Sequence, residues 1–179
     1  MTFYFILVIV ICAACIVWFN VLAIRQGRAE NQWAIVVVQL KKRFEYFLDL
    51  RDIVADLEME EEAREEILEQ LDDTHENFGY SYEATDLIAA NTQAEELFQQ
   101  ITQNHQLPET EEVQAFKENW SNNTEQLNTQ GELYDKSAKV FNMSTQQPHG
   151  RLISRLFGLH ELHYFKEEVA EEESEPPAV

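Results

Sequence analysis

The sequence predicts an all-α protein, with an N-terminal transmembrane helix followed by an antiparallel bundle of long helices of the four-helix-bundle type. Three observations predict it. Phe3 to Phe19 carries no charge, and the apolar character continues past Asn20 to Ile24; about 22 helical residues span roughly 33 Å, enough to cross a bilayer. Further along, apolar residues recur at alternating steps of three and four, the period of one helix face. Only 5 Gly and 4 Pro interrupt the 179 residues, and no stretch shows the period-two alternation of a strand.

The apolar run reads as a retained anchor. A cleaved signal peptide needs a basic leading region, and only Thr2 separates Met1 from Phe3. Ala13-Ala14-Cys15 has the form of a lipoprotein cleavage site, but Cys12 stands where an aliphatic residue is usual and Ile16 to Ile24 stays apolar beyond it. Both cysteines lie within the run, so no disulfide framework is available to the remainder. Positive charge follows the span at Arg25, Arg28, Lys41, Lys42 and Arg43. The positive-inside rule therefore places the following domain in the cytoplasm of a single-pass cell (inner) membrane protein, an external or periplasmic bundle being the alternative. The resulting organisation is an anchor at 1–24, a helical bundle at 25–166 and a disordered acidic tail at 167–179.

The first bundle helix continues the anchor, with Gly27 as a weak point between them. Trp33, Val37, Leu40, Phe44, Phe47, Leu50, Val54 and Leu57 form its stripe, and Ala63, Ile67, Leu68 and Leu71 keep helical spacing through a strongly acidic stretch. The expected break is Asp72 to Ser81, with Asn77 and Gly79 as turn residues. Ser81 is the expected N-cap of the next helix, with Glu83 in its first turn and a stripe of Ala84, Leu87, Ala94, Phe98 and Ile101. A loop around Pro108 leads to Thr110, the expected cap of a long helix with Val113, Phe116, Trp120, Leu127, Tyr134, Ala138 and Phe141 on its stripe. Asn91, Thr124 and Gly131 interrupt these stripes. Asn91 and Thr124 either face each other and fix helix register or sit at the core edge against water. Pro148 and Gly150 break the chain before a short amphipathic helix, Arg151 to Phe157. If Trp33 and Trp120 are buried, replacing either with Ala costs about 3–5 kcal/mol.

The formal net charge is −20, from 33 acidic and 13 basic residues. Such a surface repels nucleic acid, so no nucleic-acid partner is expected. A di-iron site in a helical bundle needs Glu-x-x-His on two helices, and no such pair occurs; Asp72-x-x-His75 is the nearest approach. His160 and His163, with Glu167 near them, are two histidines and a carboxylate of the kind that binds zinc, but they read as surface histidines. No catalytic, cofactor or metal residues are assigned. The candidate contact site for a partner or lipid is Arg151, Arg155, Leu156 and Phe157: two arginines four apart on one helix face, with Leu152, Ile153, Leu156 and Phe157 on the other. It reads as a patch for anionic headgroups or an acidic partner, or as a closing helix that covers the bundle end with Arg155 paired to a glutamate.

Several of these residues carry a family resemblance. Trp18-Phe19-Asn20, then Trp33, then Val38-Gln39-Leu40-Lys41-Lys42-Arg43 resembles the LemA family. So do Tyr134, Val140-Phe141-Asn142, Pro148, Leu152-Ile153-Ser154-Arg155-Leu156-Phe157-Gly158, Tyr164-Phe165 and Pro176-Pro177. The family usually has Ile-Pro after the basic pair, followed by Asn-Leu-Val; here Phe44 to Leu50 has no proline, and Leu107-Pro108-Glu109 only loosely matches the family's Tyr-Pro. The resemblance implies a bacterial membrane protein with a long-helix antiparallel bundle and no catalytic residues to carry over. The expected role is a non-catalytic scaffold or adaptor that organises membrane-protein partners or itself. The alternative is a membrane-shaping or envelope-stress protein that acts on lipid through Arg151 to Phe157. Ala13-Ala14 offers small residues for close helix contact in a homo-oligomer.

Overall fold

A computed structural model describes residues 2–80, 83–104 and 107–166. Five helices follow one another: α1 (Thr2–Ala55), α2 (Glu61–Tyr80), α3 (Ala84–Asn104), α4 (Glu111–Gln146) and α5 (Pro148–Phe157). No strand occurs among the described residues. The protein is an all-α helical bundle, as the stripes predict. The 54-residue α1 carries an N-terminal stretch long and apolar enough to cross a membrane, almost none of it buried. The expected tail at 167–179 and the expected N-cap Ser81 lie outside the described residues.

One expectation is corrected. The first break falls at Asp56 to Glu60, not at Asp72 to Ser81; α2 runs straight through Asn77 and Gly79 to Tyr80. Charge explains the position. Asp56, Glu58, Glu60, Glu61 and Glu62 crowd one stretch, and like charges four apart on a helix repel. A helix restarted at Glu61 instead places Glu61 and Glu62 beside the free amides of its own first turn, where negative charge stabilises it. The Leu57 amide bonds the Val54 carbonyl at 3.2 Å to close α1, and the Arg64 amide bonds the Glu60 carbonyl at 3.0 Å to open α2. Gly79 has open space around it and an ordinary helical backbone, so nothing there demands a turn.

The chain divides into two compact units: Met1–Ile35 with Gln130–Val179, and Val36–Thr129. The second unit holds the larger core. Phe44, Phe47, Leu50 and Val54 from α1 meet Leu71 from α2, Ala90, Ala94 and Ile101 from α3, and Val113, Phe116 and Trp120 from α4. Its aromatic centre is dense: Phe98 lies 4.4 Å from Trp120 and 5.8 Å from Phe116, and Phe44 stacks on Phe78 at 3.6 Å. Residues 63–70 of α2 flank residues 97–101 of α3, so these two helices run antiparallel about the short connection between them. Thr110 caps α4 as predicted, its hydroxyl accepting from the Val113 amide at 3.3 Å.

The expected tryptophan effects now separate. Trp120 is buried, whereas Trp33 is half-buried against Tyr134 at 5.1 Å. Trp120→Ala is expected to destabilise the protein by about 3–5 kcal/mol, and Trp33→Ala by less. Trp120→Phe should be mild by comparison, because the indole N–H of Trp120 has no partner among the described residues while its ring stacking carries over. Urea unfolding of the detergent-solubilised variants ranks the three.

Candidate site at the foot of the first unit

The first unit is built where the apolar run of α1 ends. Leu22, Phe141 and Ile153 form its small core, with Cys15, Trp18, Phe19, Leu159 and Leu162 packed around them. α4 descends beside α1 in the opposite direction. Trp33 meets Tyr134, and the Arg25 guanidinium donates to the Ser144 hydroxyl further down. A sharp corner then starts α5. Gln147 is extended at φ −62° and ψ 149°, Pro148 takes the first turn, where its missing N–H costs nothing, and the Arg151 amide bonds the Gln147 carbonyl at 2.7 Å. Gly150 is buried against the Ser144 carbonyl at this corner. Gly158, at φ +66°, closes α5 in the left-handed conformation that favours glycine.

α5 is thereby laid against the lower turns of α1. Trp18 lies 3.8 Å from the His149 ring, and Phe19 lies 4.3 Å from Phe157. Of the residues singled out from sequence, Ile153 alone turns fully into the core. Arg151 and Arg155 are both exposed, and neither makes an ion pair among the described residues. Leu152 is 64% exposed and Leu156 is 70% exposed. Being four apart, these leucines form an outward apolar ridge beside the arginine pair. Phe157 is partly covered by Phe19. α5 thus closes the unit with Ile153 and presents leucine and arginine outward with the rest of its surface.

Beyond Gly158 the chain has no regular secondary structure and is held to α4 through side chains. Asn142 grips Leu162 twice, donating to its carbonyl and accepting from its amide, both at 2.9 Å. The Asn142 amide group also reaches the Tyr164 hydroxyl at 3.1 Å. The Tyr134 hydroxyl donates to the His163 carbonyl at 2.6 Å. The Asp135 carboxylate accepts from the Phe165 amide at 2.6 Å and the Lys166 amide at 3.1 Å, and Phe165 lies over Gly131. Desolvation pushes the Asp135 carboxyl above its ordinary range, although both amides and the nearby Lys166 favour its ionised form. His160 and His163 are exposed, and Glu167 lies outside the described residues. No group of three or more metal-binding side chains occurs among the described residues.

Burial raises the Tyr134 phenol from 10.0 to about 12, with Asp135 adding to the shift. The folded state therefore keeps this proton while the unfolded chain loses it. Stability from this group is complete below pH 10 and is lost as pH rises towards about 12. In a phenolate absorbance titration, Tyr134 should ionise late. Tyr134→Phe should remove that step and flatten the alkaline loss of stability; an unchanged titration curve in the variant would assign the late step elsewhere.

Sequence reading overlooked a second feature, in the other unit. Arg43 is buried, its guanidinium spread over the Trp120 ring at 4.6 Å. It donates to Asn123 and Asn91, both at 3.1 Å, to Glu95 at 2.8 Å, and to the Thr124 hydroxyl. Asn123 in turn donates to the Gln39 carbonyl at 3.0 Å. Asn91 and Thr124 therefore meet through an arginine and not each other, and both are half-buried at the edge of the core, the second of the two expected arrangements. Desolvation lowers the Arg43 pKa, and Glu95 opposes that shift. The signal was available, since Arg43 lies three residues after Leu40 and four before Phe47, inside the apolar stripe.

The fold is that of an all-helical bundle carried on an apolar N-terminal helix, pinned at its foot by a short closing helix. A family model matches residues 32–179, and the chain belongs to the LemA family. No curated protein matches the chain.

Proposed function

We propose that this LemA-family chain is a membrane-anchored, non-catalytic scaffold or adaptor, single-pass with its bundle in the cytoplasm, which organises membrane-protein partners or its own copies. One observation carries the reading. α1 is a single helix that begins as an exposed apolar segment and continues into turns whose stripe is buried in helical packing. Such a helix joins bilayer to bundle without a flexible linker. The acidic outer faces of α2 and α4 offer charge for partner selection more than raw affinity. Photo-crosslinkers at exposed Glu69 and Glu125 in intact membranes should give discrete adducts at one face; uncrosslinked monomer at every position would overturn the scaffold reading. Paired reporters at Val179, active on opposite sides of the membrane, test the cytoplasmic assignment.

A second reading, action on lipid through Arg151 to Phe157, is favoured by a length mismatch. From Phe3 to Ala14, before the packing at Cys15 begins, α1 spans only about 18 Å, against a hydrocarbon core of about 30 Å. The bilayer then reaches the level of Trp18 to Leu22, where α5 docks with Leu152 and Leu156 outward. In this arrangement α5 lies in the interface with its leucines in acyl chain and its arginines at headgroups. A spin label at Leu156→Cys, with Cys12 and Cys15 replaced by Ser, should collide more with lipid-dissolved oxygen than with a water-soluble relaxant. The reverse ordering would place α5 in water and remove this reading.

A further inference from the structure

A cleft of about 380 Å³ opens in the first unit between α1 and α4, lined by Arg25, Arg28, Lys136, Ser137 and Val140. Its volume falls in the range of small-ligand sites. It gathers three cations in a chain of net charge −20. Arg28 and Lys136 are exposed and make no ion pair among the described residues, while Arg25 is held by Ser144. The neighbouring acids on the two helices are engaged elsewhere, Asp135 accepting from the Phe165 and Lys166 amides. Glu30 accepts from Gln26 at 2.9 Å, and Glu132 pairs with Lys166 at 3.0 Å, although its charge is also felt by Lys136.

The position of the cleft identifies its occupant. Arg25 follows directly on Ile24, the last residue of the apolar run. On α1, Ile24 shares a face with Arg28 four residues on; on α4, Lys136, Val140 and Met143 share one face. The register of α4 on α1 puts Met143 nearer the apolar run than Lys136, because Ser144 meets Arg25 while Tyr134 meets Trp33. Ile24, Val140 and Met143 are 58%, 51% and 55% exposed. A cationic pocket thus opens onto an apolar strip that leads back towards the exposed anchor. That is the outline of a phospholipid: phosphate among the arginines and lysine, acyl chain along the strip.

We propose that the Arg25–Arg28–Lys136 cleft binds the phosphate headgroup of an anionic phospholipid of the leaflet that faces the bundle. The proposal rests on the bilayer reading above and is separate from the α5 patch. Free phosphate shares the headgroup chemistry, but the exposed Ile24, Val140 and Met143 favour a ligand with a hydrocarbon tail.

The full-length chain is placed in nanodiscs of phosphatidylcholine and phosphatidylglycerol at about four to one, and the lipids that stay bound through detergent extraction are counted by mass. Near an anionic surface each basic residue is worth about a fivefold gain. The native chain should therefore retain phosphatidylglycerol in clear excess over its share. The Arg28→Glu, Lys136→Glu double variant, altered only at exposed positions, should return retention to the bulk ratio with an unchanged circular dichroism spectrum. The Arg151→Glu, Arg155→Glu variant should keep the excess. Retention at the bulk ratio by the native chain overturns the site. So does an excess that survives in the cleft variant, or one that is lost equally with the α5 arginines. Displacement of the lipid by millimolar inorganic phosphate reassigns the cleft to the free ion. A chain that never enters the disc instead overturns the bilayer reading on which the site stands.

Discussion

Arg43→Ala is expected to lower stability by about 3–5 kcal/mol, the range seen when one partner of a buried charged network is removed. The side chain does three things at once. It fills space over the Trp120 ring, neutralises the half-buried Glu95 and satisfies the polar groups of Asn91, Asn123 and Thr124. Alanine leaves all of these facing a void. Arg43→Lys should recover little, because an ammonium cannot reproduce a flat fork that stacks on a ring and donates along three directions. Urea unfolding of the solubilised chain, followed by circular dichroism, measures both. A loss below about 1 kcal/mol for Arg43→Ala would mean that water reaches these polar groups without cost, and that the network adds nothing beyond a single surface hydrogen bond. The Arg51–Asp72 pair, in the same unit but at the surface, is the useful contrast: exposed pairs contribute about 0–1 kcal/mol.

Gly150→Ala should release α5 from the first unit. A β-carbon at this position would overlap the Ser144 carbonyl, which belongs to the backbone of the preceding helix and cannot swing aside as a side-chain tip does. The expected cost lies at the upper end of the range for overpacking, about 3 kcal/mol. It should be concentrated locally, since the corner through Gln147 and Pro148 must open before the collision is relieved. Hydrogen exchange of the α5 amides should rise sharply while the α3 amides in the other unit keep their protection. Equal protection of α5 in variant and native chain would show that the corner yields at little cost. Gly79→Ala is the control: its surroundings are open, its backbone is helical, and replacing glycine by alanine there should be neutral or slightly stabilising.

Much of the fold was legible because it rests on period. The α4 stripe from Val113 to Phe141 is buried where the spacing placed it, and the Thr110 cap stands where a hydroxyl before two glutamates implied one. The break between α1 and α2 was misplaced because turn-forming residue types were weighted above charge. Asn77 and Gly79 are weak breakers on the exposed side of a helix, whereas five acids in seven positions at 56–62 disfavour helix continuity without any glycine or proline. The candidate patch on α5 was legible as an amphipathic stretch. Which apolar residues turn inward was not, because that depends on the corner at Gln147 and on Phe19, far away in sequence. The cleft was hidden for a similar reason: Arg25 and Arg28 are over a hundred residues from Lys136, and only the pairing of α1 with α4 brings them together. Arg43 counts in sequence as one of the positive charges after the span, although its place in the stripe marks it as interior.

The irregular segment from Leu159 to Lys166 is fastened by its main chain to Tyr134, Asp135 and Asn142. A segment held in this way takes much of its path from the helix it lies on, with Leu159, Leu162 and Phe165 as its own side-chain anchors. His160, Glu161 and His163 are exposed, so their identities are free to drift or to be exchanged by design without loss of the path. An epitope or a fluorophore-bearing residue introduced there would ride at a fixed place on the first unit. Substitutions at Tyr134, Asp135 and Asn142 on α4, some twenty to thirty residues earlier, would loosen it.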